Sequence, residues 1–436
     1  MKKMLKGVLG LGIILAVTLF LSASFAYANN VAVSGVTLEN KDLGNGTVDI
    51  KFNLSQGNTY SGTDGNGAQF YDRIWVFAKY WVEGVNGETT GWSHATLISG
   101  GSIAPVSDGK GAFAQVGDNQ TLRWSYGVDG VSGSATVNIE VCAIEMVYIP
   151  AGAFVYNAGG IGGSTYNNYG GGSQVTVSSA DNIPSGAASG WPNGYNAFYI
   201  AKYEASQGQY ADFLNMLSAE QASARYPDTS ANRCSLTYTA GNPYGSRYAA
   251  SSPNRSMNQT SWDDVRAYAS WCALRPLTEM EFEKAARGGG AGTSLYPWGN
   301  TAPSTSTYTF DGATFSQYYA NYNNTSSGPI NVGHYLSADI ARSNAETGAS
   351  IYGVTDLAGN NVEHLINCAW TSVPANGDGT VNIPASWPTA AAGKGIRGGR
   401  WSGGSTHLRV SDRGGAGSSG SGRNIDYGVR LCRTSP

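Results

Sequence analysis

The feature that most limits how this chain can fold is a long stretch without a period. Residues 290–436 carry many glycines and aromatics but little helical or strand alternation. A region of that kind needs a rigid scaffold beneath it, so regular elements must lie upstream. Three helices are predicted there, each opened by a capping box. In each box a hydroxyl satisfies an orphan backbone N–H, and the residue three along reaches back. Ser206 precedes Gln209, with Tyr210, Phe213, Leu214 and Leu217 in one apolar stripe. Ser261 precedes Asp264, and Val265, Tyr268, Ala269 and Cys272 repeat the spacing. Thr278 precedes Glu281, with Phe282, Ala285 and Ala286 inward and Gly288 placed to end the helix.

Further upstream the pattern changes to period two. Val48, Ile50, Phe52 and Leu54 alternate with polar residues, which predicts a strand with one buried face. The β-branched and aromatic run at 74–82 predicts a central strand. Val137, Ile139 and Val141 alternate again, and stretches such as 62–67 read as turns. With no helical period in it, residues 29–143 are expected to form an all-β sandwich, and 144–436 a second domain.

Residues 1–28 read as a signal peptide. Lys2, Lys3 and Lys6 precede an apolar run of 14 residues at 8–21, with a small-x-small cleavage site ending at Ala28. The run is too short for a comfortable membrane span. Removing it leaves 408 residues and moves the formal charge from −3 to −6. A mildly acidic chain lacks the basic face of a nucleic-acid binder. The expectation is a secreted or cell-surface protein with no membrane span and no nucleic-acid partner. Five cysteines (Cys142, Cys234, Cys272, Cys368 and Cys432) are too few for a disulfide scaffold, and none lies in a zinc-type pair.

An ordered set of motifs then covers roughly residues 144–436. It begins with Met146-Val147-Tyr148-Ile149-Pro150-Ala151-Gly152 and a Tyr199–Tyr210 segment containing Lys202-Tyr203-Glu204. Ser261-Trp262-Asp263-Asp264, Arg275-Pro276-Leu277-Thr278-Glu279 and Ala285-Ala286-Arg287-Gly288 follow. Tyr296-Pro297-Trp298-Gly299-Asn300, Asp356-Leu357-Ala358-Gly359-Asn360 with Glu363, Arg397-Gly398-Gly399 and Gly428-Val429-Arg430 complete it. In this order the set resembles the formylglycine-generating enzyme, or sulfatase-modifying-factor, family. The resemblance implies an α+β fold of C-type-lectin-like form, rich in irregular loops, behind the β-sandwich.

The resemblance does not carry the family's chemistry with it. Oxidase members hold copper on two cysteines just upstream of the final Gly-Phe-Arg, and soft Cu(I) requires that thiolate pair. Here residues 408–423 contain no cysteine, and Cys432 lies beyond Gly428-Val429-Arg430. Related iron enzymes use three clustered histidines, whereas His94, His334, His364 and His407 are scattered. Neither copper nor iron is expected, and the chain reads as non-catalytic. The family's Gly-Asn-x-x-Glu segment, here ending in Asn360 and Glu363, implies a structural calcium. The alternative is a turn whose Asn and Glu cap backbone groups. Family members also tie the second of these helices to the last strand, which implies a Cys272–Cys432 bridge.

Residues 402–426 are a tract of 25, of which 13 are Ser or Gly. Its Ser, Gly, Asp, His, Thr, Ala and Arg are all reachable from an Asn codon by changing adenines alone. Some proteins of this fold are the variable proteins of diversity-generating retroelements, whose C-terminal codons are rewritten in that way. The alternative is an ordinary Gly/Ser loop. In either case motifs on both sides anchor the ends, and an anchored polar surface is a usual place for a binding site. The candidate ligand-binding residues are Trp401, Ser402, Ser405, His407, Ser411, Asp412, Arg413, Ser418, Ser419, Ser421, Arg423, Asn424 and Tyr427. The leading expectation is a ligand-binding protein for an extracellular protein or glycan, attached to a surface through the N-terminal domain. The alternatives are an oxidase acting on a client cysteine and a self-assembling surface protein. Three smaller readings remain. His364 and Cys368 could pair as base and nucleophile. Glu279, Glu281 and Glu283 are expected to cap and be solvated. Trp298, Trp370, Trp387 and Trp401 are expected to pack inside rather than stack on sugars.

Overall fold

The computed structural model describes residues 7–8, 31–157, 173–227, 231–303, 307–310, 313–316, 319–324, 327–336, 347–389, 391–418, 420 and 422–436. Residues 1–6 and 9–30, with Ser419 and Ser421, lie outside the described residues. The protein is α+β. One twisted sheet runs through it in the order Lys394–Arg397, Val362–Ile366, Arg275–Thr278, Leu431–Thr434, Phe198–Ala201, Thr136–Ile149, Gln69–Val82 and Ser61–Thr63. A second sheet, Ala32–Asp42, Thr47–Ser55, Gly117–Trp124 and Leu97–Ile98, shares an apolar layer with the first.

Two long strands carry the design. Gln69–Val82 and Thr136–Ile149 pair antiparallel from Tyr71↔Tyr148 to Val82↔Val137. Side chains alternate across a strand, so each can feed two cores at once. Ile74, Val76, Ala78, Tyr80 and Val82 face the small sheet with Val48, Ile50, Phe52 and Leu54. Trp75 and Phe77 point the other way, into the core that holds Tyr210, Phe213, Leu214, Val265, Tyr268 and Trp271 of the helices. Thr136–Ile149 likewise sends Val137 and Val141 to the first core, and Ile144 and Met146 to the helical one. The boundary read at 143/144 falls inside this unbroken strand.

Lys79 shares the inward face of Trp75 and Phe77 and is 1% exposed. Its Nζ donates to the Trp271 carbonyl at 2.8 Å and lies 4.5 Å from that indole's centroid. Burial pushes its pKa down to about 7. Below that pH the folded state bears the full cost of burying a charge. Between about 7 and the unfolded value near 10.4 the folded state binds fewer protons than the unfolded one, so stability from this group rises with pH. Lys79→Met should therefore gain most in melting temperature, relative to wild type, at pH 6. The gain should shrink by pH 9.5, and a difference constant with pH would refute the assignment.

All three predicted capping boxes form, at Ser206/Gln209, Ser261/Asp264 and Thr278/Glu281. Gly288 stops the last helix at φ 99°, a backbone conformation that favours glycine. A fourth box, Ser218/Gln221, opens the helix Ala219–Arg225. The Cys272–Cys432 bridge does not form, and all five cysteines are free thiols. Cys272 belongs to the helical core, whereas Cys432 faces the opposite layer beside Arg275, whose Nη1 donates to its sulfur at 2.8 Å. Among the described residues no helix is long and apolar enough to cross a membrane.

Candidate ligand-binding surface

The helix Glu279–Arg287 is the post on which the C-terminal tract is mounted. Its acids were expected in solvent, yet Glu279, Glu281 and Glu283 are 0–1% exposed. Arginines from the sheet and the tract account for the difference. Arg275 grips Glu281 with two bonds, at 2.8 and 2.6 Å. Arg397 bridges Glu279 at 2.8 Å and Glu283 at 2.7 Å, and Arg287 also holds Glu283 at 2.8 Å. Arg413, from the middle of the tract, binds both oxygens of Glu279. Burial alone would raise the Glu279 pKa, but Arg413 and Arg397 more than offset it and hold the carboxyl below its ordinary value.

The tract has almost no regular structure, and its path is fixed by groups outside it. Arg397 Nη2 donates to the Val410 carbonyl at 2.7 Å, and Val410 N donates to Leu295 O at 2.8 Å. Asn367 Nδ2 donates to Ala416 O at 2.8 Å, Lys394 Nζ to Gly420 O, and Asn258 Nδ2 to Ile425 O at 2.9 Å. Ile396 N donates to Gly415 O at 3.0 Å, and Trp401 N to Asn360 O at 2.7 Å. These donors satisfy carbonyls that a loop would otherwise leave to water. Arg423 adds two bonds to Asp264, at 2.9 and 3.1 Å, and one to Ala224 O.

The structure divides the eleven described candidate residues by depth, Ser419 and Ser421 lying outside the described residues. Trp401, Ser411, Arg413 and Tyr427 are buried and support the surface from beneath. Ser402 is half-buried and donates to Asp426, and Ser418 is half-buried beside the Tyr427 hydroxyl. Asp412, also half-buried, lies 2.7 Å from Nδ1 of the exposed His407. Ser405, His407, Arg423 and Asn424 face solvent, and so do Thr406 and Ile425, which were not among the candidates.

The calcium expectation meets a different use of its residues. Asn360 Oδ1 accepts from Ile330 N at 2.9 Å and from Asn321 Nδ2 at 3.3 Å, while its amide nitrogen donates to Glu204. Glu363 Oε1 accepts from Arg430 Nε at 3.0 Å. Its other oxygen lies against Gly398, where any Cβ would collide with it. Burial pushes the Glu363 pKa up to about 7, against the pull of Arg430. Among the described residues no group of three or more His, Cys, Asp or Glu is arranged to hold a metal. In this arrangement Asn360 braces backbone and side-chain groups, and Glu363 holds Arg430.

His364 and Cys368 do not meet as base and nucleophile. His364 lies 4.8 Å from the Tyr427 ring and 5.8 Å from Trp262, with its pKa lowered to about 3 by burial and then by Lys394. Cys368 sits in another cluster, 3.6 Å from the Tyr156 hydroxyl, and burial raises its thiol. Trp298, Trp387 and Trp401 pack inside, and Trp298 stacks on Tyr296 with centroids 5.1 Å apart.

Comparison with known proteins finds a family match over most of the chain. A Sulfatase-modifying factor enzyme 1-like domain matches residues 135–435. A formylglycine-generating enzyme of Thermomonospora curvata is 50% identical over 48 residues, 11% of this chain and 16% of that protein. An inactive C-alpha-formylglycine-generating enzyme 2 of Mus musculus is 34% identical over 136 residues, 30% of this chain and 38% of its own length. The matched segments thus span well under half of these relatives. Among solved structures, Treponema denticola variable protein 1 aligns with a TM-score of 0.35 and 16% identity, over 67% of this chain and 96% of that one. With the domain match covering most of its length, the chain belongs to the sulfatase-modifying factor enzyme 1-like domain family.

Proposed function

We propose that this is a secreted, non-catalytic ligand-binding protein. In this reading the C-terminal domain is a C-type-lectin-like scaffold, and the N-terminal β-sandwich is its fixed companion at the cell surface. The observation that carries the reading is the mounting of the tract. Its backbone is tied from outside at Val410, Ala416, Gly420 and Ile425, while Ser405, Thr406, His407 and Asn424 face out. Side chains on such a frame can change without moving it. The ligand is an extracellular protein or glycan that accepts a shallow, polar surface.

The composition of the tract supports diversification of that surface. Residues 402–426 contain no Lys, Glu, Gln, Met or Trp, the five residues that an Asn codon cannot reach by changing adenines. DNA beside the gene should hold a near-copy of codons 397–430, differing only at adenines and lying near a reverse transcriptase. Absence of any such copy would remove this mechanism. The oxidase alternative is separated by copper titration, since thiolates are what Cu(I) needs. Tight 1:1 binding that is lost on thiol alkylation would overturn the non-catalytic reading.

A further inference from the structure

A pocket of about 160 Å³ opens between the helix Ala219–Arg225 and the hairpin of Leu236–Tyr238 and Tyr248–Ala250. It contains no residue of the C-terminal tract. Tyr226, Tyr238, Tyr244 and Tyr248 supply its aromatic walls, and Ser223 and Arg247 add polar groups. The Tyr238 and Tyr248 rings lie 5.1 Å apart, and Tyr226 lies 5.4 Å from Tyr248. Two walls are fixed from behind, because Tyr226 donates to Leu236 O at 3.3 Å and Tyr244 donates to Leu217 O. Tyr238 is 48% exposed, and no hydrogen bond engages its hydroxyl among those described.

Two lining residues are braced from outside the pocket by the other half of the protein. Arg247 forms two bonds with Glu88, at 2.9 and 2.6 Å. The loop carrying Glu88 is pinned to the helix ends, with Ala219 N donating to Glu88 O at 2.6 Å and Trp92 N to Met216 O at 2.8 Å. Gly91 makes that approach feasible, since a Cβ there would sit 2.7 Å from Ser218 N. Tyr244 in turn packs 5.2 Å from Trp81 of the long strand. The N-terminal unit therefore buttresses the wall that carries Tyr244 and Arg247.

Size and chemistry together select a ligand class. A cavity of roughly 150 Å³ holds one six-membered ring. A wholly apolar ring would suit a dry aliphatic lining, but here it would lie against the Tyr238 hydroxyl and the charged Arg247 without bonding either. A pyranose presents a C–H face to aromatic rings and hydroxyls to polar groups. We propose that this pocket binds a single pyranose, its C–H face on Tyr238 and Tyr248 and its hydroxyls on Arg247, which Glu88 holds in place.

The test is saturation-transfer NMR on the full chain. The probes are methyl β-D-glucopyranoside, methyl β-D-galactopyranoside and N-acetyl-D-glucosamine, with phenol as the apolar ring. The expected result is transfer to the ring protons of at least one pyranose, with affinity reduced about tenfold or more by Tyr238→Ala. Arg247→Lys, which keeps the charge but loses the two-point grip, should weaken it as well. Both sites lie at the surface, and melting curves will show that the variants fold. Transfer to none of the three sugars, transfer to phenol alone, or binding indifferent to both substitutions in folded protein would each overturn the proposal.

Discussion

A chain shortened to residues 135–436 should fail to fold cooperatively, although it retains the whole family domain. The deleted part contains Gln69–Val82, the partner of Thr136–Ile149 along nearly its full length. It also contains Trp75 and Phe77, which fill the helical core from below and are fully buried. Truncating one such aromatic costs about 3–5 kcal/mol, so losing both, with the strand's ladder besides, is comparable to the whole 5–15 kcal/mol that a domain typically has. Trp75 Nε1 also donates to the Cys272 carbonyl at 2.9 Å, and buried Lys202 pairs with Asp72 at 2.6 Å. The expected observation is an aggregating or dye-binding species without a sharp thermal transition, while the full chain melts in one step. A fragment melting cooperatively within a few degrees of the full chain would show that the two halves are independent.

Glu279→Ala should be the most damaging single change among the acids of its helix. It would strand buried Arg413 without a carboxylate and leave buried Arg397 with Glu283 alone. Removing one partner of a buried ion pair costs about 3–5 kcal/mol, because the remaining charge stays out of water. The damage should also travel. Arg413 sits in the middle of the tract and Arg397 holds its Val410 carbonyl, so hydrogen exchange should rise across 404–418 more than in Ala32–Asp42. Glu279→Gln, which keeps the shape and part of the hydrogen bonding, should recover part of the loss. A uniform rise in exchange, or none, would mean that the network does not hold the tract.

Local signals in the sequence were reliable where a local device determines the structure. The capping boxes and the strand at 74–82 are such cases. Ser218/Gln221 is the same device, but it opens a helix of only 7 residues whose sole buried residue is Ala222, so no apolar stripe marks it. The strand Val362–Ile366 was hidden for the opposite reason. It is buried on both faces, including Glu363 and His364, and so shows no alternation. Lys79 and the acids of Glu279–Arg287 look solvent-facing in one dimension. Their burial depends on partners at Trp271, Arg397 and Arg413 that no short-range pattern reveals. At the candidate surface the sequence identified the region, and only packing separates outward residues such as Ser405 and His407 from supports such as Trp401 and Arg413.

The central claim is that the tract is a replaceable face on a frame fixed from elsewhere. Thermal unfolding of one variant, with Ser405, Thr406, His407, Asn424 and Ile425 all changed to alanine, tests it directly. Exposed substitutions away from packing cost at most about 0.5 kcal/mol each, so the melting temperature should fall by less than about 10 °C and the transition should stay sharp. A broadened or lost transition would mean that these side chains hold the tract in place, and the account of a changeable surface would be wrong.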